Sequence, residues 1–485
     1  MNTSKKWWVL SVTSLGSLLS ALNFSTLIIA LPDLIKGLQT GVLQAMWIML
    51  SYMVAQTVVV LLAGSMADRF GRKRIYMWGM ILFTIVSLLA GFASNAGILI
   101  LMRILQGIGG AMVMANSTAI VADVFPVKEL GRALGVNIMV VAIGQIIGPV
   151  LGGWLTETFG WEWTFWFNVP FGLIAVAWGY WAMGMSDAKS SEQKVKKLDR
   201  WGLLTYTLSV TGLLLALTWG PIQSWASPVV WIAGICFLIA FPIFLSVEKK
   251  HPSALLHLPL FANRTFSMGM ISAMLNGIAR MAVMFMLIFY FQGALYYDAL
   301  EAGILTIPLA VGMLFVSPVA GWLGDRFGER MPATLGLLIS MLGLVGLAMD
   351  TWLDTPYWHL ALWMTLISVG SGLFNSPNTS SVMNAAGPKY RGEASGIRSL
   401  TINMGMMLSI AFSMPIITNT IPHEAMLAIF SGTQVGMEGG SSALSGFIHG
   451  LHGVFWLMAV LMLIGTLMSY LRSGKPLAQA KGAQV

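Results

Sequence analysis

The sequence predicts an all-α membrane protein: two pseudo-symmetric six-helix bundles with two further helices inserted between them. Three observations carry that expectation. Hydrophobic residues make up 57% of the chain and charged residues 9%, against about a quarter charged in soluble domains, so the apolar surface must face lipid. Fourteen stretches approach the roughly 20 apolar residues that a membrane helix needs. The charged loop Gly64-Ser-Met-Ala-Asp68-Arg69-Phe70-Gly71 returns as Gly321-Trp-Leu-Gly-Asp325-Arg326-Phe327-Gly328, 257 positions later (68 to 325).

Taken in order, the expected spans are 7–31, 43–64, 75–95, 97–121, 132–155, 164–184, 201–220, 228–247, 265–292, 299–322, 332–350, 357–382, 394–417 and 446–471. The first follows Lys5 and Lys6; it is too long for a signal peptide and shows no small-residue cleavage site before Pro32, so it reads as a retained helix. The second and third flank the first charged loop, which continues Arg72-Lys-Arg. The fourth contains Arg103 and Gln106. The fifth carries Gly144, Gly148 and Gly152 on one face, with Pro149 and Gly153 beside them. Small residues at a four-residue spacing let helix backbones approach closely in lipid, and a proline removes a helix hydrogen bond and invites a bend.

A charged run, 187–200, reads as a solvated linker before spans seven and eight. Glu248-Lys-Lys-His-Pro and a short amphipathic stretch, 255–261, lead to span nine, which holds Arg280. Span ten opens on Asp298 and Glu301, and span thirteen holds Arg398. The run Pro388-x3-Gly392-Glu-Ala-Ser-Gly396 before span thirteen resembles Pro126-x4-Gly131-Arg-Ala-Leu-Gly135 before span five, 261 positions earlier (131 to 392). This second repeat divides the chain into 1–185, 186–264 and 265–485. The connection 418–445 is long and reads as a partly ordered hairpin or re-entrant segment.

With the N-terminus inside, nearly all Lys and Arg fall on the cytoplasmic side, Lys36 alone lies outside, and Arg103, Arg280 and Arg398 lie within spans. The net charge of +8 therefore reads as a topology signal, not a nucleic-acid patch, and both termini are placed in the cytoplasm. Cys236 is the only cysteine, which excludes an internal disulfide. His251, His257, His359, His423, His449 and His452 sit at loops or span ends without a ligand pattern, so no metal or other cofactor is expected, and no catalytic constellation marks an enzyme.

At this point the motifs resemble the major facilitator superfamily, and within it the fourteen-helix branch of drug:proton antiporters. Gly64…Asp68-Arg69-x-Gly71-Arg72-Lys73 looks like the superfamily signature between helices two and three, and Arg103-x2-Gln106-Gly107-x-Gly109 is similar to the arginine motif of helix four. Gly144-x3-Gly148-Pro149-x2-Gly152-Gly153 resembles the antiporter motif, and Trp161-x-Trp163-x-Phe165-x-Phe167-Asn168-x-Pro170 the turn into helix six. The chain departs from the branch at Asn23, where an aspartate often stands, and in helix thirteen, whose one acid is Glu393 at its end. The resemblance implies a bacterial cytoplasmic-membrane exporter of amphipathic compounds, a proton-coupled multidrug antiporter of the kind that confers antibiotic resistance, working as a monomer.

Candidate residues follow. Asn23, Arg103, Gln106 and Arg280 are expected as buried polar groups near the substrate; Glu301 and Asp123 are the proton-coupling candidates. Gly64, Asp68, Arg69, Gly71 and Arg72, with Asp325, Arg326 and Gly328, form the expected cytoplasmic latch. Asp68 should meet the start of helix thirteen and Asp325 the start of helix five, while the basic loop residues contact lipid headgroups. Buried arginines and the lack of a carboxylate at mid-span point to neutral or monocationic cargo. The rival expectations are export of an envelope lipid precursor, siderophore or metabolite on the same scaffold, import of a nutrient, which the helix-five motif disfavours, or a membrane receptor that does not transport.

Overall fold

The computed structural model describes residues 3–40, 42–183, 200–222, 224–250, 258–421 and 440–472. The charged run before Arg200 and most of the 418–445 connection thus lie outside the described residues, as do His251, His257 and His423. Among the described residues there are helices and turns but no strand. The helices are α1 (Thr3–Gly37), α2 (Val42–Phe70), α3 (Arg72–Ala90), α4 (Ala96–Val124), α5 (Val127–Phe159), α6 (Trp163–Trp166), α7 (Asn168–Met183), α8 (Arg200–Ile222), α9 (Pro228–Lys250), α10 (Arg264–Phe289), α11 (Ala299–Leu305), α12 (Pro308–Phe327), α13 (Arg330–Asp350), α14 (Tyr357–Ala386), α15 (Arg391–Thr418) and α16 (Gly440–Tyr470).

Each expected span overlaps helix, and among the described residues 11 helical stretches are long and apolar enough to cross a membrane. The three expected spans outside that measure have visible reasons. The apolar part of α8 is only Trp201–Leu217. α14 carries Ser371, Asn375, Ser376, Asn378, Thr379, Ser380 and Ser381 along its second half. The span expected over 164–184 is interrupted at Phe167, between α6 and α7. There Pro170 supplies no N–H for the Trp166 carbonyl, and Asn168 turns its amide back to the carbonyls of Thr164 (3.2 Å) and Phe165 (3.3 Å). The span expected over 299–322 is likewise split, because Pro308 cannot continue α11; Thr306 closes that helix with its hydroxyl on the Gly303 carbonyl at 2.8 Å. Pro149, by contrast, leaves α5 unbroken from Val127 to Phe159.

The repeated loops adopt one turn twice. Gly71 has φ +97° and Gly328 φ +90°, a region in which a Cβ is strained. The N–H of Gly71 bonds the Ala67 carbonyl at 2.9 Å, and that of Gly328 bonds the Gly324 carbonyl at 3.0 Å. Each loop therefore ends one helix and starts the next within a residue or two, keeping the charges at one end of the bundle.

Helix packing repeats in the same way. α1 lies on α5 as α10 lies on α15; α2 and α3 pack on α4 as α12 and α13 pack on α14. Between these groups α2 runs along α15, and α12 along α5. Both seams close at the charged-loop end through glycine. A Cβ on Gly64 would stand 2.9 Å from the Gly392 carbonyl oxygen, and one on Gly321 only 2.1 Å from that of Gly131. One turn deeper, Gly396 abuts the Val60 carbonyl and Gly135 that of Ser317. These four crossings superpose under the two sequence offsets read above. α8 packs on both α2 and α15, with the Tyr206 hydroxyl on the Thr57 carbonyl at 3.2 Å. Its partner α9 turns Trp231, Ile232, Leu238 and Ile239 outward, as a lipid-facing helix should.

Candidate functional site

Arg103 is 1% exposed in the middle of four helices. Its Nε donates to the Ile48 carbonyl of α2 at 3.1 Å, and its Nη1 to Gln106 Oε1 at 2.5 Å and Asn23 Oδ1 of α1 at 3.4 Å. The guanidinium stacks over the Tyr52 ring, 4.4 Å from its centroid. Gln106 in turn donates to Ser87 Oγ of α3 at 2.7 Å. A guanidinium at mid-membrane costs about 2.5–3.5 kcal/mol on insertion scales. Charge-assisted bonds and a desolvated aromatic face offset that cost. Arg103 thus joins α1, α2 and α4 directly, and α3 through Gln106, without a carboxylate.

The cluster extends across the seam. Gln56 donates to the Tyr52 hydroxyl at 3.2 Å, and Asn403 of α15 donates to Gln56 Oε1 at 3.3 Å. On the other seam, Arg280 of α10 donates from Nη2 to Gln145 Oε1 of α5 at 3.2 Å. Sequence reading did not single out Gln56, Gln145, Tyr52 or Asn403. The three amides could have been flagged as polar groups inside apolar spans, where an unpaired polar group is expensive, though not their partners. Arg398 sits partly buried on α15, and its Nε is buried without an acceptor.

The glycine row of α5 packs on α1. A Cβ on Gly148 would overlap Ser25 Oγ at 1.8 Å, one on Gly152 would meet the Thr26 carbonyl at 2.7 Å, and one on Gly144 would meet Ala21 Cβ at 3.0 Å. Gly153 is buried beside them.

At the charged-loop end, Asp325 accepts two backbone hydrogen bonds, Gly131 N–H to Oδ1 and Arg132 N–H to Oδ2, each at 2.9 Å. Helix α5 begins at Val127, earlier than expected, so the carboxylate meets its second turn. Ser376 adds a bond from α14 to the Gly131 carbonyl at 2.8 Å. The Asp68 side chain lies outside the described residues; the α2–α15 approach it was expected to latch is the Gly64–Gly392 crossing. Asp123 is joined to Arg72 at 2.5 Å and to Arg391 of α15 at 3.7 Å, and Arg391 also bonds the Ala122 carbonyl. Asp123 therefore stands in an ion cluster at the loops, away from Arg103 and Arg280. Arg69 and Arg326 are exposed over the rings of Phe70, and of Trp322 and Phe327.

The second loop reverses the charge pattern. Glu329 occupies the position of Arg72 after 257 residues, and Asn384 that of Asp123 after 261. Asn384 and Ser380 donate to Glu329 Oε1 at 2.8 and 3.1 Å. Burial lifts the Glu329 carboxyl above the ordinary glutamate range, while these bonds and the Arg472 charge pull it back. Burial also pushes Arg472 down to about 10.

Glu301 is exposed in the first turn of α11, its N–H capped by Asp298 at 2.7 Å, and the structure does not bring it to Arg103 or Arg280. His449 and His452 bond the carbonyls of Ser445 and Thr351, each at 2.7 Å.

Residues 13–410, and again 269–484, match the description Major Facilitator Superfamily. The chain is 32% identical to the riboflavin transporter RibZ of Clostridioides difficile over 84% of its own length and 87% of that protein. It is 30% identical to the multidrug transporter protein MdtP of Bacillus subtilis, over 76% of this chain and 68% of that one. Multidrug resistance protein 3 of the same organism is 28% identical over 91% and 84%. With its many apolar helices, the chain is an integral, multi-pass membrane transporter of small molecules and not an enzyme, and it belongs to the major facilitator superfamily.

Proposed function

We propose that this protein is a proton-driven exporter of amphipathic organic compounds in the bacterial cytoplasmic membrane. It has fourteen spans, both termini inside, and two six-helix halves, 1–185 and 265–485, that rock about a central site, with 186–264 carrying the inserted pair. The observation that carries this reading is the matched closure of the two seams at the charged-loop end, Gly64 on Gly392 and Gly321 on Gly131. Matched closures are what alternating access between two repeats requires. The positive-inside bias supports a cytoplasmic position for that end, and on that reading this form is shut on the inside.

Deeper in the seams, Arg103, Tyr52, Gln56 and Asn403 form a polar chain from one half to the other, with Arg280 and Gln145 opposite. Aromatic and methionine side chains around such groups suit variable apolar bodies. Export is favoured by the glycine row that seals α5 on α1, and the relatives named as multidrug proteins fit a broad cargo. Glu301 and Asp123 remain the proposed proton carriers. Arg69 and its basic neighbours contact acidic lipid, and the protein works as a monomer. The likeness to a riboflavin transporter supports a second reading, a defined metabolite on the same scaffold.

The test is transport by the purified protein in vesicles with an imposed pH gradient. Dye movement against its gradient, abolished by collapsing the proton gradient, is the expected result. No movement of any of a broad panel of compounds would leave a receptor role instead.

A further inference from the structure

Resting on the transport reading above, we infer that the cargo presents an anionic group, a carboxylate or its like, which two arginines of the C-terminal half receive in succession. Arg103 donates to three protein acceptors from Nε and Nη1 and stacks on Tyr52, all within the N-terminal half, which fits a structural cation. Arg280 and Arg398 differ. Arg280 has one bond, to the neutral amide of Gln145, and that bond crosses the seam, which places the guanidinium between the halves. Arg398 leaves a buried Nε without an acceptor. Both side chains are partly buried, and no ion pair joins either to a carboxylate among the described residues.

Position supports the same conclusion. Arg398 stands 261 residues after Asn137, whose amide points inward to Ser14 and Ser17 of α1 at 3.2 and 3.3 Å. By the repeat, Arg398 is expected to face α10 as Asn137 faces α1. Contacts between α10 and α15 fix the depths: Gly277 lies against Ile402, and Gly405 against Met274. Arg398 is therefore nearer the charged-loop end and Arg280 farther along, separated by roughly 15 Å at 1.5 Å of rise per residue. Between those depths lies the Asn403–Gln56 bond that bridges the first seam.

Two cations lining one passage without counter-charge repel a cationic cargo and attract an anionic one. The monocationic cargo expected from sequence is thereby disfavoured, since that expectation rested on the absence of a carboxylate and left the arginines' own charge uncompensated. An anion handed from Arg398 to Arg280 remains paired along the path while its apolar body lies on the aromatic and methionine side chains.

The experiment uses three matched amphipaths with one apolar body and a carboxylate, a carboxamide or a trimethylammonium head, transported in phosphatidylcholine vesicles. The carboxylate should be carried with the lowest KM. Arg280→Gln and Arg398→Gln should each raise that KM about tenfold, the scale of one lost charge-assisted bond, and leave the carboxamide within about twofold. If the carboxamide or the cation moves as well as the carboxylate, or both variants leave the order unchanged, the inference is overturned while the exporter reading stands. If none of the three moves while other compounds of a broad panel do, the inference is overturned and the exporter reading stands; if nothing in the panel moves, both fail. Loss of the carboxylate preference on adding phosphatidylglycerol would assign the arginines to a lipid headgroup and also overturn the inference. Tryptophan-fluorescence binding in detergent separates a misfolded variant from one that has lost the anion site.

Discussion

Asp325 holds the backbone of Gly131 from the opposite side of a seam, Oδ1 to N–H at 2.9 Å, and its other oxygen takes the next N–H. Asn in its place retains one acceptor and adds a donor that faces N–H groups. Asp325→Asn should weaken closure by about 1.5–3 kcal/mol, the range for hydrogen bonds to charged groups, and slow gradient-driven transport. The sequence repeat further predicts that Asp68→Asn slows it more, because Arg72 and Lys73 strengthen the first loop where Glu329 and Arg330 stand in the second. In a Cys236→Ser background, a cysteine at Ser317 should react faster with an impermeant thiol reagent when Asp325 is replaced; equal rates would contradict a latch.

Glycine crossings give a sharper steric prediction. Gly321→Ala puts a methyl 2.1 Å from the Gly131 carbonyl oxygen, so the closed seam cannot form and transport should be lost with expression retained. Gly328→Ala meets no atom but is strained at φ +90° and ψ +148°, by about 1–3 kcal/mol. Gly234→Ala on α9 has open space around it and should behave as wild type. Uptake assays on the three variants should rank them in that order.

Arg103 should tolerate lysine poorly. A lysine keeps the charge but loses the fork that reaches Ile48, Asn23 and Gln106 together. Arg103→Lys is expected to cost about 2–3 kcal/mol through acceptors left unsatisfied, seen as a lower unfolding temperature in detergent, with transport falling along with it.

Proton coupling is tested by amides. Glu301→Gln and Asp123→Asn remove titration with little change of shape. Glu301→Gln should uncouple transport from the pH gradient. Asp123→Asn should in addition loosen Arg72 and Arg391. Full gradient-driven transport in both variants and in the double variant would place coupling elsewhere.

Glu329 makes a pH prediction with a definite sign. Its carboxyl is raised by burial in the folded protein, so between about 4.3 and the raised value the folded state holds more protons than the unfolded chain. Its contribution to stability is present below that window and is lost as pH rises through it. Thermal unfolding of wild type minus that of Glu329→Gln, followed across the window, should decline with pH.

The fold was legible because lipid imposes a length and a polarity on every span. What the apolar count could not reveal were the interruptions at Phe167 and Thr306, which depend on single prolines and one returning amide. The site was legible where a residue type is costly in lipid, as with Arg103, whose contacts to Asn23, Gln106 and a backbone carbonyl are of the kind its burial requires. The repeat pointed Asp325 toward the start of α5. The bonds of Gln56, Gln145 and Asn403 were not legible, since a lone amide in a long helix carries no periodicity and its partner comes from another helix. Nor was the pairing of Asp123 with Arg72, which needs the ends of α3 and α4 to be brought side by side.

Because α8 rests on α2 and α15 at once, it covers one edge of that seam like a hull plank, whereas among the described residues neither α8 nor α9 packs along the seam between α5 and α12. On the proposed transport reading, a compound dissolved in the bilayer would then meet one uncovered seam and not two. If the two halves rock as proposed, α8 must let go of α2 or of α15 when that seam opens, and the inserted pair would then ride with a single half.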